Sequence, residues 1–193
     1  MIGSGRTEIV RAITGADPRY SGDIYLNGKL LKINNPRDSV KAGIAHITED
    51  RQRLGLALQA SVLENMLIVG MDDIKSGLVY NYKKHTKKVQ SIVEGLNIRT
   101  PSLLQKVVNL SGGNQQKVVI GKWLYAEPSV YIFDEPTRGI DVNAKTEIYK
   151  HMTDLAKQGN CILLISSDLP ELISMSDRVM VVRDGAFEGE LTG

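Results

Sequence analysis

Hydrophobic and polar positions alternate with a helical period in the first and middle parts of the chain, and gather into short apolar runs in its last third. The first helix begins near Arg6, runs through Thr7–Ile13 and stops at Gly15, a glycine suited to the position after a helix end. Turn residues fill Asp17–Gly22. Ile24–Leu26 and Lys29–Ile33, joined by Asn27-Gly28, then predict a hairpin with a type I′ turn. A short helix over Arg37–Ala42 leads into an apolar strand, Ile44–Ile47. From about Ser61 to Tyr125 the pattern is mainly helical: Ser61–Ile68, opened by a Ser61 and Glu64 capping box, then Thr86–Leu96, then a helix starting near Ser111. Beyond it come a strand over Val130–Phe133, a helix over Ala144–Lys157, a strand over Cys161–Ser166, a short helix, a strand over Arg178–Val182 and a hairpin at Asp184-Gly185. Short apolar strands alternating with helices predict an α/β core with a covered, mostly parallel sheet. A helical lobe over about residues 61–125 interrupts it.

Composition narrows this picture without redirecting it. A chain of 193 residues is the length of one domain. Its 42% apolar and 24% charged residues suit a globular protein rather than a disordered one. Lys plus Arg (24) nearly cancels Asp plus Glu (22), which argues against a dedicated nucleic-acid binder. The single Cys161 excludes a disulfide framework and a cysteine metal cage. The apolar run Cys161–Ile165 falls far short of the ~20 residues that span a bilayer, and no leader is evident, so a soluble, cytosolic character is expected.

Three segments carry candidate chemistry. Gly3-Ser4-Gly5-Arg6-Thr7 directly precedes a helix, as in phosphate loops of the form G-x-x-x-x-G-K-[ST], whose backbone N–H groups cradle phosphates. If Gly5 is the second glycine, the first lies before Met1, and Arg6 stands where lysine is required. Thr7 keeps a hydroxyl able to reach Mg²⁺, whereas Glu8 suits the helix dipole but repels a phosphate. A plain glycine turn capping a helix explains this segment equally. Leu110-Ser111-Gly112-Gly113-Asn114-Gln115-Gln116-Lys117 is more specific: Ser111 is a good N-cap, and two glycines let a phosphate approach a helix start. Val130–Glu135 is an apolar strand delivering two acids at its C-terminal end, where open α/β sheets bind ligands. There Asp134 would hold Mg²⁺ and Glu135 would orient, or take a proton from, the attacking water.

LSGGNQQK followed by FDEPTRGID (Phe133–Asp141) resembles the ATP-binding cassette of ABC transporters, and the resemblance covers essentially the whole chain. Ile2–Ile9, Ile47–Arg51 and Ile165–Pro170 look more specifically like the second cassette of sugar-importer ATPases of the ribose, galactose and xylose type, which carry two fused cassettes. The resemblance implies a P-loop NTPase core with an inserted helical subdomain over residues 61–125 of a single 1–193 cassette. ATP and Mg²⁺ are implied as ligands. Ser111, Gly112, Gly113 and Gln115 would face nucleotide held by a partner cassette, and Asp141 would belong to the loop crossing that interface. The 49–81 region would meet transmembrane permease subunits, with an external sugar-binding protein as an indirect partner and no nucleic acid. The protein would then sit at the cytoplasmic side of the cell membrane.

Departures from that pattern are concentrated on one side. Glu49 replaces the glutamine that contacts Mg²⁺ and senses the permease, and Ser167 replaces the histidine that bonds the γ-phosphate. With Arg6 and Glu8, four phosphate-side positions are altered while Asp134 and Glu135 survive. The strands that precede the phosphate loop in the family are not in the chain, as for a fragment starting inside the motif. The expectation is a weakened nucleotide-holding half and an intact signature half, catalytic by family and inactive alone. Competing readings are a non-catalytic interaction module and a soluble cassette ATPase acting on nucleic acid or the ribosome. Elsewhere, His46 is expected to be structural, His85 and His151 solvated, Cys161 a small buried hydrophobe, Trp123 and Tyr125 packed under the lobe, and Lys83, Lys84, Lys87 and Lys88 a solvated face.

Overall fold

The structure, a computed structural model, describes residues 4–70 and 82–192. Its centre is a three-stranded parallel sheet ordered β3 (Ile44–Ile47), β4 (Val130–Asp134), β5 (Cys161–Ile165). The register sets Ile47 beside Phe133 and Asp134 beside Ile165. All three strands therefore end at one edge, and the loops that follow them share it.

Each strand sends successive side chains to opposite faces. Ile132 of β4 packs with Ile44, Ile165 and Val10 of helix α1 (Arg6–Ile13) on one face. Tyr131 and Phe133 turn to the other face, against Val118, Val119 and Ile120 of helix α5 (Gly112–Ala126), Ile148 and Met152 of α6 (Val142–Lys157) and the apolar sides of α3 (Val62–Leu67) and α4 (Tyr82–Gly95). Trp123 and Tyr125 are buried in this larger cluster, as expected.

Local signals place the element starts. Asn35 caps α2 (Pro36–Lys41) by accepting from the N–H groups of Arg37 and Asp38, with Pro36 at the first helical position. At α3 the capping box is complete: Glu64 N–H donates to Ser61 Oγ at 3.2 Å and Ser61 N–H to Glu64 Oε2 at 2.7 Å. These bonds hold the Glu64 carboxyl below its ordinary range. Asn27 (φ 51°) and Gly28 (φ 75°) join β1 (Ile24–Leu26) to β2 (Lys29–Leu31), the two positive φ values that a type I′ turn needs. A short helix α7 (Leu169–Met175) leads to β6 (Arg178–Arg183), which pairs antiparallel with β7 (Ala186–Thr192) across Asp184-Gly185.

The structure departs from the sequence reading where an element has only one covered side. Strand β5 pairs with β4 alone among the described strands, so Ile162 and Leu164 pack inward while Cys161 is exposed rather than buried. His85 is not merely solvated, since its Nδ1 hydrogen-bonds the Tyr125 hydroxyl. His151 is half-buried, and the loss of water holds its pKa below the ordinary histidine range. Lys88 Nζ donates to the Tyr125 carbonyl at 3.0 Å and to Glu127 at 2.7 Å, so it too is engaged; the side chains of Lys83 and Lys84 lie outside the described residues. A π-helical turn over Arg51–Gly55, with Asp50 accepting from Arg53 N–H at 3.1 Å, has no counterpart in the sequence reading. Among the described residues no helix is long and apolar enough to cross a membrane.

Candidate functional site

Along the common sheet edge lie two half-sites, each built on a glycine and a helix start. At the first, Gly5 precedes α1 with φ 86°, and a Cβ there would stand 2.6 Å from Gly185 Cα. Gly185 N–H also donates to the Ser4 carbonyl at 2.9 Å. The β6–β7 turn is thus seated against the loop, and only glycine fits at position 5. Arg6 Nε donates to Ser4 Oγ at 2.8 Å and Nη1 to the Ser166 carbonyl at 2.5 Å, while Nη2 stands 4.0 Å from Glu135 Oε1. The guanidinium that replaces the expected lysine is therefore turned onto the protein's own loops. Thr7 and Glu8 form the first turn of α1, half-buried and exposed respectively, and Gly3 lies outside the described residues.

Asp134 ends β4 only 1% exposed. Its Oδ1 has no hydrogen-bond partner among the described residues, and its Oδ2 is 4.0 Å from His46 Nε2, itself buried without a partner. A buried carboxylate with a vacant oxygen costs free energy unless a cation or donor meets it. That donor set fits Mg²⁺, which takes one or two carboxylates and fills the rest of its shell with water and phosphate. Glu135 adopts φ 48°, a left-handed conformation rare outside glycine, held by its N–H donating to Ile165 O at 2.9 Å and its carbonyl accepting from Arg138 N–H at 3.1 Å. Ser167 is exposed, while the preceding Ser166 Oγ accepts from Asp168 N–H at 3.0 Å, closing the turn into α7. Glu49 is half-buried and ion-paired with Arg138, and that pair links the loop after β3 to the loop after β4.

At the second half-site Ser111 is exposed and caps α5, its Oγ accepting from Asn114 Nδ2 at 2.9 Å. Both glycines are closely approached: a Cβ on Gly112 would come within 2.8 Å of Arg51 Nη2, the end of a side chain able to shift, and one on Gly113 within 3.1 Å of Ala144 Cβ. Asp141 caps α6, accepting from Ala144 N–H at 3.0 Å. A cavity of about 150 Å³ opens here, lined by Arg99, Ser111, Gly113, Asn114, Lys117 and Asp141 among others. Gln115 is the exception among the expected residues. It is 4% exposed, its Nε2 donating to Val107 O at 3.2 Å and its Oε1 accepting from Gln52 at 3.3 Å, because its place on α5 faces the 107–109 turn and not the open helix end. It is turned away from the surface it was expected to present.

The structure thus gathers Ser4, Gly5, Arg6, Glu135 and Ser166 at one end, and Ser111, Gly112, Gly113 and Asp141 at the other. Sequence reasoning missed Arg51 and Arg138 as members of the site, although both lie in quoted segments. Arg51 Nη1 donates to Arg138 O at 3.3 Å across 87 positions, a separation no local pattern reports. A further groove of about 710 Å³, lined by Gln52, Leu56, Ala57, Leu58, Ala60 and Glu64 among others, flanks the same turn.

Comparison with known proteins agrees with this geometry. The chain is 49% identical over 191 residues to the xylose import ATP-binding protein XylG of Thermoanaerobacter pseudethanolicus, covering 98% of this chain and 38% of that protein. It is 48% identical over 196 residues to the galactose/methyl galactoside import ATP-binding protein MglA of Clostridium tetani, covering 100% and 38%. The ribose import ATP-binding protein RbsA of Geobacillus kaustophilus is 49% identical over 191 residues, covering 99% and 39%. The chain therefore spans under two fifths of the length of these relatives. A solved ATP-binding cassette of an ABC transporter in its ADP conformation superposes with TM-score 0.81 at 25% identity, covering 100% of this chain and 77% of that one. A dimeric cassette bound to ADP and Pi reaches TM-score 0.81 at 18% identity, covering 98% and 81%, a likeness of fold alone. The ABC transporter family itself matches residues 2–138, and with the cassette fold around that match, this chain belongs to the ABC transporter family.

Proposed function

We propose that the chain is the second ATP-binding cassette of a sugar-importer ATPase, one cassette over residues 1–193 with a helical subdomain over about 61–125. The observation that carries this reading is the inequality of the two half-sites. Arg6 and Gly185 occupy the phosphate-loop end, while the Ser111–Gly113 end opens on a cavity. The cassette then contributes chiefly in trans, its signature helix start completing a nucleotide site on the partner cassette. Its own nucleotide site is degenerate.

In that site the N–H groups of Gly112 and Gly113 and the Ser111 hydroxyl present partial positive charge to a terminal phosphate. Asp141 holds the start of α6 beside them. In the cassette's own half, Asp134 and Thr7 are the residues that would hold Mg²⁺, which supplies charge neutralisation to phosphate oxygens when bound. Glu135 is the group that would orient water, but Arg6 stands near it and competes for its charge. Ser167 offers only a hydroxyl where the family has an imidazole.

The substrates are ATP and a small sugar carried by the permease. The partners are a second cassette and transmembrane subunits meeting residues 49–81, of which 71–81 lie outside the described residues. An external sugar-binding protein acts indirectly. The apolar groove beside Leu56–Leu58 supports the permease contact, and the protein sits peripherally on the cytoplasmic side of the membrane. The test is ATP hydrolysis by the two-cassette protein reconstituted with its permease. Stimulation by sugar-loaded binding protein is expected, and a rate indifferent to permease and sugar overturns the assignment.

A further inference from the structure

We infer that Arg51 is a phosphate-contacting residue of the signature site, supplying its guanidinium to the terminal phosphate of nucleotide held by the partner cassette. The inference rests on the division of half-sites proposed above. Arg51 opens the π-helical turn Arg51–Gly55 and lays its side chain across the start of α5. Its Nη2 is 2.8 Å, and its Cζ 3.7 Å, from where a Cβ on Gly112 would stand, so the guanidinium lies over that glycine.

Charge makes this placement informative. A cation at the positive end of a 15-residue helix is electrostatically unfavourable unless an anion shares the position. No nearby carboxylate ion-pairs with it among the described residues: Glu49 pairs with Arg138, Asp50 lies 3.8 Å from Arg53 Nε, and Asp141, beside Gly113, accepts from Ala144 N–H. Among the described residues the one hydrogen bond from the Arg51 guanidinium is to Arg138 O at 3.3 Å, and its Nε is buried with no partner. A guanidinium carries five N–H donors in a fork that matches phosphate oxygens. Donors therefore remain for an anion seated on Ser111, Gly112 and Gly113. The contact forms only when the two cassettes close, so it favours the reacting state over the initial binding of ATP, which the partner's own phosphate loop provides.

The experiment uses the two-cassette protein reconstituted with its permease, assayed for ATP hydrolysis and for trapping by orthovanadate with Mg·ATP. Arg51→Met should lower kcat by roughly tenfold or more, leave KM for ATP within about threefold, and abolish most vanadate trapping. Arg51→Lys, which keeps the charge, should recover at least part of both. Arg51→Met with kcat and trapping like the wild type, beside an inactive Gly112→Asp, overturns the role of Arg51 and leaves the trans site standing. An active Gly112→Asp overturns the trans site and this inference with it. If Arg51→Met lowers the melting temperature and raises KM in proportion, and Arg51→Lys rescues neither rate nor trapping, the side chain is structural and the inference falls.

Discussion

The phosphate-loop end and the signature end share one local design, a glycine-containing turn opening a helix, yet they present opposite surfaces. At Gly5 the protein's own backbone, Gly185, lies within 2.6 Å of a Cβ position, and Arg6 is bonded to Ser4 and Ser166. At Ser111 the helix start borders a cavity, and the cation beside it, Arg51, keeps donors unused. A helix N-terminus is thus a potential anion site only when neighbouring side chains leave it open and leave its charge unanswered. At the first half Gly185 fills the space beside Gly5, and the carboxylate of Glu8 lies in the first turn of α1.

The sharpest way to break this comparison is to mutate both ends in the two-cassette protein. Gly112→Asp sets a carboxylate against the phosphate position, and hydrolysis should fall by roughly two orders of magnitude or more, since like charges at short range in a partly desolvated interface cost several kcal/mol. Arg6→Ala should cost under about tenfold, because its guanidinium serves the chain's own loops. Equal losses, read as steady-state ATPase rates, would show that the halves are not divided in this way.

Next in size is the fit of the β6–β7 turn on the phosphate loop. Gly5→Ala combines a φ of 86° with a backbone clash at 2.6 Å, and should destabilise the chain by about 2 kcal/mol in urea unfolding. Gly139→Ala, with φ 69° but open space around it, should cost about 1 kcal/mol or less. An equal cost at both positions would mean that the seated turn contributes nothing.

A pH measurement probes the floor of the signature half. Lys122 of α5 is buried beneath the Arg51–Gly55 turn, donating to Gly55 O at 2.7 Å, and loss of water lowers its pKa to about 8. Between about pH 8 and its ordinary value of 10.5, the folded chain has released this proton and the unfolded chain has not. The unfolded state then binds more protons, so stability rises with pH in that window. Above about pH 10 the buried Tyr131 and the half-buried Tyr149, both raised to about 12, act the other way, because the folded state keeps protons that the unfolded state loses. Wild-type stability should therefore climb by on the order of 1–3 kcal/mol from pH 8 to 10, and Lys122→Met should lack the climb. A parallel profile in the variant would refute the buried charge.

The smallest effects are expected where the first half is repaired or probed alone. Calorimetry of the isolated chain at millimolar ATP should give no clear isotherm, and a micromolar Kd would break the comparison outright. Ser167→His should not create turnover near ~1 s⁻¹, because an imidazole can orient only a phosphate already bound.

Much of the fold was legible in order along the chain. The starts at Ser61 and Ser111 are legible as caps, since their hydroxyls accept from backbone N–H groups three residues ahead; Asn35 and Asp141 cap in the same local way, although the sequence reading starts those helices later, at Arg37 and Ala144. The hairpin turns at Asn27-Gly28 and Asp184-Gly185 are equally local, resting on residues that tolerate positive φ. Strand β5 was legible as a strand but not as a half-covered one, since exposure depends on what lies beside it, and Cys161 shows the difference. Gln115 reads as part of the signature, yet its position on α5 points it to Val107.

By itself the sequence determined the family, most of the element order and the caps at Ser61 and Ser111, because each is a matter of residue type within a few positions. Only the tertiary structure decided that Arg6 turns onto Ser166 across 160 positions, that Arg51 covers Gly112, that Glu49 pairs with Arg138 and that Gly185 fills the loop at Gly5. Those contacts join residues far apart in the chain, and their geometry is set by which helix face packs on which side of the sheet, a relation that no local spacing encodes.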